Sequence, residues 1–113
     1  TSKKSELNNV IVRYAGRGYG TPCSPEMAGI EVEGSNVDIE NSIIENNQYR
    51  GIYLIDSPSV IDNVQFLNNQ VCCPASDTTC HNQYGGYGLE IEGGNPVIRD
   101  SALKGNVYGI YSH

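Results

Sequence analysis

The sequence predicts an all-β chain wound into a solenoid of stacked parallel strands, and three observations predict it. First, a short pattern recurs: Gly29-Ile30-Glu31-Val32-Glu33 matches Gly51-Ile52-Tyr53-Leu54-Ile55, Gly88-Leu89-Glu90-Ile91-Glu92 and Gly109-Ile110-Tyr111-Ser112-His113. The first two recurrences lie 22 residues apart and the last two 21, the length of one solenoid turn made of three short strands. Second, the match continues in register downstream of each glycine, with Ile39, Ile61 and Ile98 in one apolar column and Ile44, Phe66 and Leu103 in another. Third, no segment sustains apolar residues at a helical spacing of 3.6, and β-branched residues dominate the periodic positions.

Taken in order, Leu7, Asn9 and Val12 extend three columns backwards, so Leu7 to Gly16 reads as the tail of an earlier turn. Gly16 to Ala28 is a long loop. Each glycine-led strand then alternates inward apolar and outward polar residues before the chain bends at Gly, Asn, Asp or Ser. Asn41, Asn63 and Asp100 share one bend position, and Asn47, Asn69 and Asn106 share a later one. Asparagines stacked at a bend bond to backbone and to each other, a reason for Asn rather than any polar residue. The step from Gly51 to Gly88 is 37 residues, and the excess is a loop from Val71 to Tyr87. The expected partition is a single unit of about four turns: a partial first turn over 1–28, turns over 29–50, 51–87 and 88–108, and a partial last turn over 109–113.

The pattern Gly-Ile-x-Val/Leu, then Ile-x-Asn, then Ile/Phe/Leu-x-Asn-Asn resembles the repeats of the pectate-lyase-like superfamily of right-handed parallel β-helices. The resemblance covers nearly the whole chain and implies that fold. It implies no single activity, because the superfamily includes polysaccharide lyases, glycoside hydrolases, adhesins, phage tailspikes and periplasmic accessory proteins. No catalytic signature of one member family is present to carry over.

Composition narrows the partners. Thirteen acidic against 7 basic residues give a net charge of -6, which repels phosphate backbones and argues against nucleic acid. No apolar run approaches the roughly 20 residues of a membrane-spanning helix. Four cysteines in a Gly-, Asn- and Tyr-rich acidic chain fit a secreted or cell-surface setting better than the cytosol.

On the glycine-led strands the outward positions form two columns: Glu31, Tyr53, Glu90, Tyr111, and Glu33, Ile55, Glu92, His113. Tyr49, Tyr87 and Tyr108 precede the strand glycines along the same edge. Carboxylates accept hydroxyl hydrogen bonds and tyrosine rings cover apolar sugar faces, so Glu31, Glu33, Tyr53, Glu90, Glu92 and Tyr111 are the candidate glycan-binding residues. Ordinary surface polarity on outward strand positions explains the same residues. Catalysis is a sharper version of this reading. Glu31 and Glu33 fall about 6.7 Å apart by strand rise, Glu31 and Glu90 about 9.6 Å by strand spacing, and both suit an inverting glycosidase. Any outward pair on a solenoid meets such distances, so no catalytic residue is assigned, and Arg50 is the one nearby candidate for the base of a lyase. Calcium between neighbouring acids is possible, although no calcium-loop motif is present; no metal site is assigned.

The four cysteines fall in the two long loops, which leave the coil on one side with roots about 10 Å apart. A Cys72–Cys73 bond needs a strained eight-membered ring, so Cys23 is expected to bond one of these two and Cys80 the other. A metal site of Cys23, Cys72, Cys73, Cys80 and His81 is the competing arrangement, unsupported by any Cys-x-x-Cys spacing. Haem attachment at Cys80-His81 is argued against by Asp77, where a first cysteine would stand.

The expected function is a structural or adhesive extracellular solenoid unit, with polysaccharide as a possible partner; the alternative is a fragment of a polysaccharide lyase or glycoside hydrolase. The partial turns at the two ends are complementary, so copies of the chain joined head to tail, or flanking turns of a longer rod, are expected to complete them.

Overall fold

A computed structural model describes residues 5–15, 28–70 and 86–113. The chain is all-β among these residues. Its strands are β1 (Ser5–Asn8), β2 (Ile11–Arg13), β3 (Ile30–Glu33), β4 (Val37–Glu45), β5 (Arg50–Ile55), β6 (Val60–Leu67), β7 (Tyr87–Glu92), β8 (Val97–Arg99), β9 (Ala102–Lys104) and β10 (Tyr108–Ser112). Every pairing is parallel. The first sheet runs β1-β4-β6-β8, with β2 also on β4 and β9 also on β6; the second runs β3-β5-β7-β10. No helix among the described residues is long and apolar enough to cross a membrane.

The sequence columns are the strand register. Ile39 faces Ile61 and Ile61 faces Ile98, Ile44 faces Phe66 and Phe66 faces Leu103, while Leu7 and Val12 prolong the two columns onto β1 and β2. Ile39, Ile44, Ile52, Leu54, Ile61, Val64, Phe66 and Leu89 have no solvent exposure. Burying an aliphatic side chain of this size contributes about 1.5–3 kcal/mol, so this narrow column of apolar groups is the main source of stability. Ile98 and Leu103 pack against the core but are only partly buried, because β8 and β9 are the last strands of the first sheet among the described residues.

The two asparagine columns do different jobs. Asn9, Asn41, Asn63 and Asp100 have φ between 49° and 58°, the left-handed conformation that Asn and Asp tolerate better than other side chains, and they turn the chain within the first sheet. Strands β4 and β6 run through this bend unbroken, whereas the same path is split into β1 and β2, and into β8 and β9, in the flanking turns. Asn47, Asn69 and Asn106 instead form an internal ladder. Asn47 donates its side-chain amide to Asn69 at 3.0 Å, and Asn69 donates to Asn106 at 2.8 Å. The second amide hydrogens reach Val12, Ile44 and Phe66 carbonyls at 3.2, 3.2 and 2.9 Å. Each side-chain oxygen also receives a backbone N–H from the turn before: Ala15 to Asn47, Asn47 to Asn69 and Asn69 to Asn106.

This ladder explains the glycines that open the first three repeats, Gly29, Gly51 and Gly88. A Cβ on Gly51 would lie 2.6 Å from the Gly88 carbonyl oxygen and 3.0 Å from Asn69 Nδ2, and a Cβ on Gly29 would lie 2.7 Å from the Gly51 oxygen. Backbone and ladder leave no room for a side chain there.

Candidate functional site: the outer face of the second sheet

The predicted outer columns coincide with the register of the second sheet. Glu31 faces Tyr53, Tyr53 faces Glu90 and Glu90 faces Tyr111; Glu33 faces Ile55 and Ile55 faces Glu92. His113 continues beside Glu92, with its N–H donating to the Ile91 carbonyl at 2.9 Å and its own carbonyl accepting from Gly93 at 3.1 Å. All six candidate residues therefore share one face. They differ in what they present: Glu31, Glu33, Glu92 and Tyr111 are exposed and Tyr53 is half-buried, whereas Glu90 is 6% exposed.

Glu90 is buried on an outward strand position because neighbours cover it. Arg50 Nε donates to its Oε2, and His113 Nε2 lies 3.2 Å from its Oε1. Arg50 is itself 3% exposed, with its guanidinium carbon 4.3 Å from the ring centre of Tyr49 and 4.0 Å from that of Tyr53. Such placement over two aromatic faces is cation–π geometry. Beside it Tyr53 donates its hydroxyl to Glu92 Oε2, which pushes the Tyr53 pKa up to about 12, helped by burial and by the Glu92 and Glu90 charges.

The tyrosine edge keeps the register that its spacing from the repeat glycines gives. Arg50, not Tyr49, is the register partner of Tyr87, and Tyr87 faces Tyr108. Tyr49 lies one residue earlier at φ 71°, strained for an aromatic residue, and meets Tyr87 edge-on with centroids 6.1 Å apart. Tyr87 stacks on Tyr111 at 5.0 Å and 21°, and lies 5.4 Å from Tyr108. Burial raises the Tyr87 pKa, with the charges of Tyr49 and Glu90 adding to it. Rings that stack on each other or on Arg50 have fewer free faces. The face therefore offers carboxylates and ring edges more than the open aromatic platforms expected from composition.

The organising residue that sequence reasoning undervalued is Arg50. The signal was its place immediately before a repeat glycine, where Tyr87 and Tyr108 stand in their repeats. As the candidate base of a lyase it is poorly placed, since Glu90 and two rings enclose it. Among the described residues no group of three or more His, Cys, Asp or Glu is arranged to hold a metal ion, which gives the calcium expectation no support there. Cys23, Cys72, Cys73, Cys80 and His81 lie outside the described residues, and with them the disulfide and loop expectations.

No curated protein and no solved structure matches the chain. A family model described as "Right handed beta helix region" matches residues 6–113, nearly the entire sequence, and it supplies the handedness of the coil. With its parallel register, glycine column and asparagine ladder, the chain belongs to the right-handed β-helix family.

Proposed function

We propose that the chain is a structural and adhesive unit of an extracellular β-solenoid, and that the outer face of the second sheet is its contact surface for a sugar chain. The observation that carries this reading is the combination on one face of a buried brace, Arg50–Glu90 beneath Tyr49 and Tyr53, with exposed carboxylates at Glu31, Glu33 and Glu92. A braced sheet holds its carboxylates at fixed spacing, and a fixed row of acceptors suits the hydroxyls of a repeating polymer. Contact is through carboxylates, the Tyr53 hydroxyl and ring edges rather than through ring stacking. Further turns, from flanking sequence or from another copy, extend the rod by pairing along β10, whose Ile110 is 47% exposed. Disulfides among Cys23, Cys72, Cys73 and Cys80 brace the two long loops in this reading.

A glycan array tests the contact surface. Binding that weakens in Glu31→Ala, Tyr53→Ala and Glu92→Ala variants supports it; binding unchanged by all three, or no binding to any glycan, overturns it. The enclosed position of Arg50 favours this reading over a lyase fragment, and release of unsaturated sugars from any polysaccharide would reverse that preference.

A further inference from the structure

Building on the glycan reading above, we propose that the sugar chain this face takes bears amines, a glucosamine-type polymer, and that uronate polymers are excluded. Among the described residues, four carboxylates occupy the face, Glu31, Glu33, Glu90 and Glu92, against two basic side chains, Arg50 and His113. Both of these are directed to Glu90: Arg50 Nε bonds one oxygen and His113 Nε2 lies 3.2 Å from the other. The charge that the described residues leave accessible on this face is therefore that of Glu31, Glu33 and Glu92, which are exposed.

The column Glu33–Ile55–Glu92 supplies the geometry. Ile55 is half-buried and stands in register between the two carboxylates, one strand from each, about 4.8 Å to either side. A pyranose ring laid on Ile55 rests its apolar face on a hydrocarbon floor and has a carboxylate on each flank to receive an ammonium group. Tyr53 holds the Glu92 carboxylate in place by hydrogen bonding to one of its oxygens. A 1,4-linked pyranose chain running across the turns advances by close to one strand spacing per sugar, so every second sugar meets a carboxylate of this column, first Glu33 and then Glu92, with the sugar between them over Ile55. A uronate in the same position sets its own carboxylate against Glu33 and Glu92, and like charges at this range repel.

The test is binding of a β-1,4-linked glucosamine hexamer, its fully N-acetylated counterpart, a galacturonate hexamer and an oligolysine of matched charge, measured by titration calorimetry at fixed ionic strength. We expect the amine hexamer to bind about tenfold more tightly than the N-acetylated one, as two exposed charge contacts allow, and the galacturonate hexamer not to bind. The pair Glu33→Gln with Glu92→Gln should erase that preference. The pair Glu6→Gln with Glu40→Gln, on strands of the other sheet, makes the same change in net charge and should leave it intact. Equal binding of the amine and N-acetylated hexamers, binding of galacturonate, or equal losses in the two variant pairs overturns the charge selectivity while leaving a glycan face standing. Oligolysine binding as tightly, with the same dependence on Glu33 and Glu92, overturns it in favour of basic peptide. If no sugar binds, the glycan reading fails and this inference falls with it.

Discussion

Asn47 donates its side-chain amide to the side-chain oxygen of Asn69 at 3.0 Å, and neither residue is exposed to solvent. That oxygen also accepts the Asn47 backbone N–H, while the Asn69 amide serves Ile44 and Asn106. Replacing Asn69 by Gly or Ala leaves several buried groups unsatisfied, so a loss on the order of 3 kcal/mol or more is expected. Asn63 holds φ 54° and is exposed, so Asn63→Gly should be close to neutral. Urea denaturation of the variants checks the contrast; a tolerated Asn69→Gly would mean that the ladder does not support the core.

Gly51→Ala and Gly109→Ala should behave very differently. The added Cβ at Gly51 meets a backbone oxygen at 2.6 Å, whereas at Gly109 the nearest atom is a Leu103 carbon at 3.7 Å, an ordinary contact. Overpacking of this kind costs about 1–3 kcal/mol or more, so only the first variant should lower the denaturation midpoint clearly. Equal effects would place the two glycines in different surroundings from those described.

Arg50 and Glu90 predict a strongly non-additive double-mutant cycle. Both side chains are nearly fully buried, so Arg50→Met alone, or Glu90→Leu alone, strands a charge and should cost about 3–5 kcal/mol. The double variant should recover much of that loss, because an apolar pair has no charge to desolvate. Additive losses in thermal or chemical unfolding would show that the pair is not coupled.

Tyr53 predicts a pH dependence at the alkaline end. Its folded-state pKa of about 12 lies above the ordinary 10.0, first because its hydroxyl bonds Glu92. The folded state therefore favours the neutral phenol. The resulting stabilisation is fully present below pH 10 and is lost as the pH rises towards 12. Ultraviolet titration of tyrosinate should show a late phase that loses the Tyr53 contribution in Tyr53→Phe and moves in part to lower pH in Glu92→Gln, while Tyr87, also raised by burial, still titrates late in both. A late phase whose amplitude and midpoint are the same in both variants as in the unaltered chain would place the hydroxyl bonded to Glu92 elsewhere.

Much of this architecture was legible in the sequence because a solenoid repeats its environment. A residue at one level meets its counterpart at the next, so aligning Gly29, Gly51, Gly88 and Gly109 was enough to place Glu31 beside Tyr53 and Ile39 beside Ile61. The reason for each column was less legible. Asn41 and Asn47 look alike in sequence, but one sets a left-handed bend and the other builds a buried ladder. Arg50 and Glu90 breach the rule that outward means exposed, because Tyr49, Tyr53 and His113 close over them. That cover depends on side-chain directions, notably the φ of 71° at Tyr49, which repeat spacing does not report.

The in-register stacking of repeats underlies the core, the ladder, the brace and the outer face alike, and isoleucine methyl labelling tests it most directly. With δ1-methyl-labelled isoleucine in an otherwise deuterated chain, nuclear Overhauser spectra should connect Ile39 to Ile61 and Ile61 to Ile98, and separately Ile30 to Ile52. Absence of the Ile39–Ile61 and Ile30–Ile52 connections in a folded sample, or connections shifted by one residue to the opposite face, would contradict the register and with it the placement of every residue on the proposed contact surface.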